Sequence, residues 1–255
     1  MLILSKPWLK RQHRDFQLPD RDIDINGAGS IETRLHTFAE DQSFTLLSGE
    51  KIGPITLAYE THGELNAKRD NAILIFHALS GSHHVAGFMG SVPGVGDRWN
   101  NECQIGWWDA FVGPGKAIDT NKYFVICSNV IGGCMGSYGP SHKDPDQKIF
   151  GTNFPVITIN DMVNAQYNLL DHFGIDKLFS ITGGSMGGMQ VLQFISNFPD
   201  KSKTVIPIAT TSSHSAQNIA FNELGRQAIT ADSGWKDGNY TSNKTSPGKG
   251  LAVAR

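Results

Sequence analysis

Gly183-Gly184-Ser185-Met186-Gly187-Gly188 is the stretch in which residue types and spacing most directly specify chemistry. It reads G-x-S-x-G. A β-rich run, Leu178-Phe179-Ser180-Ile181-Thr182, precedes it, and a segment of helical spacing, Met186 to Phe198, follows and stops at Pro199. That strand–turn–helix context gives the pattern its meaning. A serine at the apex of so sharp a turn needs strained backbone angles, and only very small side chains fit two positions before and after it. Gly183 and Gly187 occupy those places. The turn would present Ser185 Oγ above the strand ends, and the following helix would point its N-terminus at charge developing there. The chemistry this arrangement serves is acyl transfer through a serine nucleophile. The alternative is a chance match in a chain with 28 glycines, and the flanking strand and helix weigh against it.

An oxyanion hole for such a serine needs two backbone N–H groups, one from the residue after the nucleophile and one from the loop after an earlier strand. The first would be Met186. The apolar run Ala72–Phe76 leads into His77-Ala78-Leu79-Ser80-Gly81, where small residues let the backbone approach a ligand, and Leu79 is the expected second donor. An ordinary strand-to-loop turn is the plain alternative there. Ser185 also needs a base, because a free hydroxyl is a poor nucleophile at neutral pH. Behind a turn of this kind the order along the chain is Ser, then Asp or Glu, then His. After Ser185 come Asp200, Glu223, Asp232 and Asp237 but a single histidine, His214, which lies a few residues past the β-rich run Thr204–Ala209 with no intervening strand to carry the acid. The catalytic Asp and His are therefore expected beyond Arg255, leaving these 255 residues an incomplete site in which Ser185 is at most weakly activated.

Other chemistries find less support. His77, His83 and His84 have no carboxylate or cysteine at ligand spacing, so they read as structural and no metal is expected. Gly113-Pro114-Gly115-Lys116 is a turn and not a phosphate loop, and Gly94-Val95-Gly96 lacks the third glycine of a dinucleotide fingerprint. Cys103, Cys127 and Cys134 are odd in number with no C-x-x-C spacing, which points to a reduced, cytoplasmic setting without a disulfide framework. The basic N-terminus, Met1 to Arg14, leaves an organelle-targeting segment as a second reading beside a solvated arm. Lys and Arg number 22 against 24 acidic residues, which excludes a globally basic nucleic-acid binder. Apolar runs such as Ala72–Phe76 and Tyr123–Cys127 are about a quarter of a membrane span, so no transmembrane helix is expected.

The elements that must position Ser185 follow from periodicity. Residues 1–40 are polar and aperiodic and read as an N-terminal arm, with one catalytic domain over 41–255. Phe44–Leu47 and Ile55–Tyr59, separated by Ser48-Gly49-Glu50-Lys51, read as a hairpin. Ala72–Phe76, Tyr123–Cys127, Leu178–Thr182 and Thr204–Ala209 read as buried strands, and Asn160–Phe173, Met186–Phe198 and Ser215–Ala231 as helices. This alternation predicts an α/β fold with a mostly parallel, doubly wound sheet. Ser80–Lys116 is aperiodic, and its Phe88, Trp99, Trp107 and Trp108 favour a functional loop over disorder.

Asn71–Gly87 (NAILIFHALSGSHHVAG), Gly106–Lys116 (GWWDAFVGPGK), Asn121–Ser141 (NKYFVICSNVIGGCMGSYGPS), Gly183–Gln190 (GGSMGGMQ) and Phe221–Ile229 (FNELGRQAI) together resemble homoserine O-acetyltransferase. Asp232, Trp235, Gly238 and Tyr240 match a further D-P-x-W-x-x-G-x-Y pattern, from which Ser233 departs. The resemblance runs from about Phe38 to Arg255. It implies an α/β-hydrolase fold and transfer of an acetyl group from the co-substrate acetyl-CoA to the hydroxyl of L-homoserine, in methionine biosynthesis, with no bound cofactor. It implies a Ser185 acyl-enzyme, an oxyanion held by Leu79 and Met186, and Arg226 as a substrate-binding residue. It also implies a homodimer for the complete protein, and a lid and last strands beyond Arg255, so that a sheet edge and apolar lid contacts are exposed in these residues. The runners-up are a serine O-acyltransferase or homoserine O-succinyltransferase of the same family, an esterase on the same fold, and an inactive truncated member that only binds.

Overall fold

Five consecutive apolar residues without polar alternation fit a strand covered on both faces, and two such runs form the centre of the sheet. The computed structural model describes residues 27–254 apart from 42, 145, 241 and 242. In chain order the elements are β1 (Arg34–Phe38), β2 (Phe44–Thr45), β3 (Lys51–Ile52), β4 (Ile55–His62), β5 (Ala72–Phe76), β6 (Val112–Gly113), β7 (Ile118–Asp119) and β8 (Phe124–Ser128). Then come α1 (Ile159–Phe173), β9 (Leu178–Gly184), α2 (Met186–Asn197), β10 (Ser202–Ile208), α3 (Ala216–Thr230) and α4 (Gly248–Ala254). Every residue of β5 and β8 is buried. The main sheet has the order β1-β4-β8-β5-β9-β10. β8, β5, β9 and β10 run parallel, while β4 is antiparallel to both β8 and β1. The four expected strands are thus its parallel part and the three expected helices are α1, α2 and α3, but Thr204–Ala209, expected to be buried, falls in β10, an edge strand that is exposed along most of its length.

Two expectations are corrected. The hairpin joins β2 to β3, pairing Phe44 with Ile52 and Thr45 with Lys51, and does not include Ile55–Tyr59. Ile55, Leu57, Ala58 and Tyr59 are buried within β4, whose eight residues reach two partners in the main sheet and bury more apolar surface there than in an isolated ribbon. The N-terminal arm is also shorter than residues 1–40. β1 pairs with β4 from Arg34↔Tyr59 to Phe38↔Ile55, Ile31 N donates to the Phe88 carbonyl, and Phe88 N donates to the Gly29 carbonyl. Residues 1–26 of that arm lie outside the described residues.

The two faces of the sheet are covered differently. α1 and α2 cover one, where Leu74, Phe76, Ile126, Ile181, Leu169 and Phe194 form the larger core. α1 begins at a capping box, Thr158 with Asp161, and ends at Gly174, whose φ of 63° suits glycine. The segment 80–116 covers the other face, with Val85, Ala86 and Val112 packed on Ile73, Ile75, Val125 and Cys127. An outer cluster of Met89, Val92, Val95 and Trp99 gives this segment a core of its own.

An irregular segment laid on a sheet must satisfy its own amides, and Glu60 does part of this. It sits in β4 opposite Cys127 and is fully buried. Its Oε1 accepts from Val85 N at 2.6 Å, Ala86 N at 3.2 Å and His62 Nε2 at 2.8 Å, and Oε2 accepts from His84 Nδ1 at 2.8 Å. Burial alone would raise the Glu60 pKa, but the hydrogen bonds from His62 and His84 outweigh it and hold the carboxyl down at about 2. Sequence reasoning did not single out Glu60. A carboxylate following Leu57-Ala58-Tyr59 was the available signal.

At the far edge, β10 leaves Val205, Ile206 and Ile208 exposed, and α3 exposes Ile219, Phe221 and Leu224. No described residue covers these apolar surfaces.

Glu60→Ala strands the amides of Val85 and Ala86 and two imidazoles in a dry interior. It should lower the stability of the fold by roughly 3–5 kcal/mol, read as a lower urea midpoint. An unchanged midpoint would show that Glu60 does not anchor the segment.

Candidate active site

Ser185 joins β9 to α2 with φ 56° and ψ −119°, a backbone conformation that non-glycine residues adopt only when the surroundings enforce it. The enforcement is visible. Ser185 N donates to the Ile208 carbonyl at the end of β10 (3.0 Å), and Thr210 Oγ1 donates to the Ser185 carbonyl (2.8 Å). On the other side the turn is pressed against the end of β5. A Cβ on Gly183 would lie 2.6 Å from the Gly187 carbonyl carbon, and one on Gly187 would run into the Phe76 carbonyl. Both glycines are therefore required by backbone contact, and the serine between them is exposed.

Leu79 and Met186 line one cleft of about 510 Å³, together with His77, Asn129, Cys134 and Met162. Met186 is the first residue of α2, so its N–H has no acceptor within the helix. Leu79 N donates to no backbone acceptor among the described residues, and the residue is 75% exposed. Two residues with uncommitted amides thus line a shared cleft, and Ser185, which adjoins Met186 in the chain, is not itself among its lining residues. Asn129, which the sequence did not flag, also lines this cleft. It is buried, and its Nδ2 has no hydrogen-bond partner among the described residues. Its position directly after β8 was the available signal.

The remaining candidates lie elsewhere. Arg226 is exposed on α3, does not line the cleft, and pairs with Glu223 of the same helix through Nε at 2.9 Å. Asp232 caps the amides of Gly234 (2.8 Å) and Gly250 (2.9 Å). His214 lines a separate cavity of about 240 Å³ with Met189, Gln193 and Thr211. None of the acids or the histidine that follow Ser185 bonds to its hydroxyl among the described residues. His77, His83 and His84, the histidines weighed as metal ligands, are engaged in the protein: His77 with Ala78 and Val130, His83 with Thr33, and His84 with Glu60 and Gln104.

A family model described as alpha/beta hydrolase fold matches residues 71–249. The chain belongs to the α/β-hydrolase fold family. Within it, 227 residues are 59% identical to a homoserine O-acetyltransferase of Pelagibacter ubique, covering 89% of this chain and 58% of that protein. The chain thus spans less than two thirds of that relative's length. Among solved structures, homoserine O-acetyltransferase from Bacillus anthracis superposes with a TM-score of 0.75 at 30% identity, covering 88% of this chain and 58% of that one. Esterase E22 superposes with the same TM-score of 0.75 at 34% identity, over 88% of this chain and 59% of that one. This α/β-hydrolase chain has no described helix long and apolar enough to cross a membrane.

The buried histidines set a pH limit. Burial lowers His77, and burial reinforced by His84 and His77, against the pull of Glu60, lowers His83 to about 4. Unfolded, each takes up a proton near pH 6.5. Because the folded values lie below the unfolded one, stability is complete above pH 6.5 and falls as pH drops toward 4, by roughly 3 kcal/mol for His83. Urea midpoints measured from pH 7.5 to 4.5 should decline in that window. A flat profile would contradict the assignment of neutral buried imidazoles.

Proposed function

We propose that the protein is an acyltransferase that moves an acetyl group from acetyl-CoA to the hydroxyl of L-homoserine, a step of methionine biosynthesis. The observation that carries the chemistry is the strained Ser185 turn beside a cleft bordered by two free amides, Leu79 and Met186. The 59% identity to a homoserine O-acetyltransferase supports the substrates.

In the first half-reaction Ser185 Oγ attacks the thioester carbonyl. The carbonyl oxygen gains charge and accepts hydrogen bonds from Leu79 and Met186. The C–S bond then breaks, and CoA leaves as the thiol with the proton from Ser185. In the second, the homoserine hydroxyl attacks the acetyl-serine, its proton returns to Ser185 Oγ, and O-acetylhomoserine departs. Proton transfer in both halves falls to an Asp–His pair that we place beyond Arg255, as in the order Ser, acid, His. Arg226 would take the homoserine carboxylate in two parallel hydrogen bonds. Its present partner, Glu223, holds it only through an exposed i,i+3 pair, which solvent screens. No metal or bound cofactor enters this reading, and a cytoplasmic homodimer is the assembly it favours.

A second reading has its own support, since esterase E22 superposes as well as the acetyltransferase does. The two differ in what relieves the acyl-enzyme. We expect thiol release from acetyl-CoA by the full-length protein to be slow in water alone and to accelerate with L-homoserine, yielding O-acetylhomoserine. Ser185→Ala should lower kcat by about 10⁴-fold or more. Equal turnover with and without acceptor would make the protein an esterase. Preference for serine or succinyl-CoA would shift it to a related acyltransferase.

A further inference from the structure

A single imidazole is bonded to the peptide that carries the Leu79 amide. His77 follows β5 and is almost wholly buried. Its Nε2 lies 3.1 Å from Val130 N, a group that can only donate, so Nε2 is the bare nitrogen. The proton is then on Nδ1, which donates to the Ala78 carbonyl at 2.7 Å. That carbonyl also accepts from Gly81 N at 2.9 Å. The Ala78 carbonyl and the Leu79 N–H belong to one trans peptide plane, so they point in opposite directions. Holding the oxygen fixes where the N–H points, and drawing density onto the oxygen makes that N–H a stronger donor. The His77 carbonyl is fixed in turn by Gln190 Nε2 of α2 at 3.3 Å.

We propose that His77 is a positioning residue, whose neutral Nδ1–H form locks the 78–79 peptide plane so that the Leu79 amide faces the acyl group. This rests on the reading of Leu79 as an oxyanion donor. His77 does not touch substrate in this role. It acts through one hydrogen bond to a peptide oxygen.

Two substitutions separate this role from simple support. Asparagine places a side-chain N–H where the imidazole Nδ1 lies and keeps the bond to Ala78. Glutamine reaches the Nε2 position and keeps the bond from Val130, but gives up the donor to Ala78. With the full-length protein, His77→Gln and His77→Ala should lower kcat for acetyl transfer about 100-fold with KM changed by less than about threefold, as for loss of one oxyanion donor. His77→Asn should recover at least about tenfold over His77→Gln, in proportion to the restored contact. Equal losses in the Asn and Gln variants, or full activity in the Gln variant, would overturn the proposal.

Nitrogen-15 NMR of labelled histidine at pH 7.5 tests the same bond without turnover. His77 should show a protonated Nδ1 and a bare Nε2. The opposite tautomer, or a doubly protonated ring, would overturn it. Should acetyl transfer itself be undetectable, the acyltransferase reading fails, while the tautomer still decides the state of His77.

Discussion

The structure depends on backbone meeting backbone where β5 ends under the β9–α2 turn. The Phe76 carbonyl lies where a Gly187 side chain would be, and Gly183 is wedged between Phe76 and Gly187. No side chain fits at either contact. This closeness brings the first residues after β5 to the same cleft as the first residue of α2. It also holds Ser185 at a positive φ that its own residue type disfavours. The strain is maintained from the far side by the Ile208 carbonyl and the Thr210 hydroxyl. Four elements, β5, β9, α2 and the end of β10, thus converge on one residue.

Behind that contact runs a polar spine inside an otherwise apolar interior. Ser128 Oγ donates to Gln166 of α1 at 2.7 Å, Gln166 donates to Gln190 of α2 at 2.6 Å, and Gln190 donates to the His77 carbonyl. All three side chains are buried. In a low-dielectric interior a satisfied amide chain of this kind fixes one arrangement, because any slip leaves a donor or acceptor unpaired. It ties both helices on one face to the loop that carries Leu79. On the opposite face Glu60 performs the corresponding task for the segment that begins at Ser80.

What was legible in the sequence was local. The run Ala72–Phe76 could only be a doubly covered strand, and the glycines around Ser185 spelled the turn because their spacing answers a steric requirement within six residues. What escaped was long-range. Ile55–Tyr59 has the composition of a hairpin strand, and only its partners across the sheet, Arg34–Phe38 and Val125–Ser128, decide otherwise. Glu60 and Asn129 gave no periodic signal, since their importance comes from amides and a cleft contributed by residues distant in the chain. Arg226 was placed by resemblance alone, and its position on an exposed helix face, paired with Glu223, has no counterpart in local pattern.

The central claim is that the Leu79 and Met186 amides converge on one oxygen of a group attached to Ser185. A crystal structure of the protein treated with an acyl-mimicking phosphonate tests this most directly, because the adduct carries a fixed anionic oxygen in place of the transient one. The account predicts phosphorus on Ser185 Oγ and one phosphonyl oxygen about 2.7–3.1 Å from both Leu79 N and Met186 N. Labelling at another residue, or an adduct whose oxygen turns away from Leu79, would contradict it.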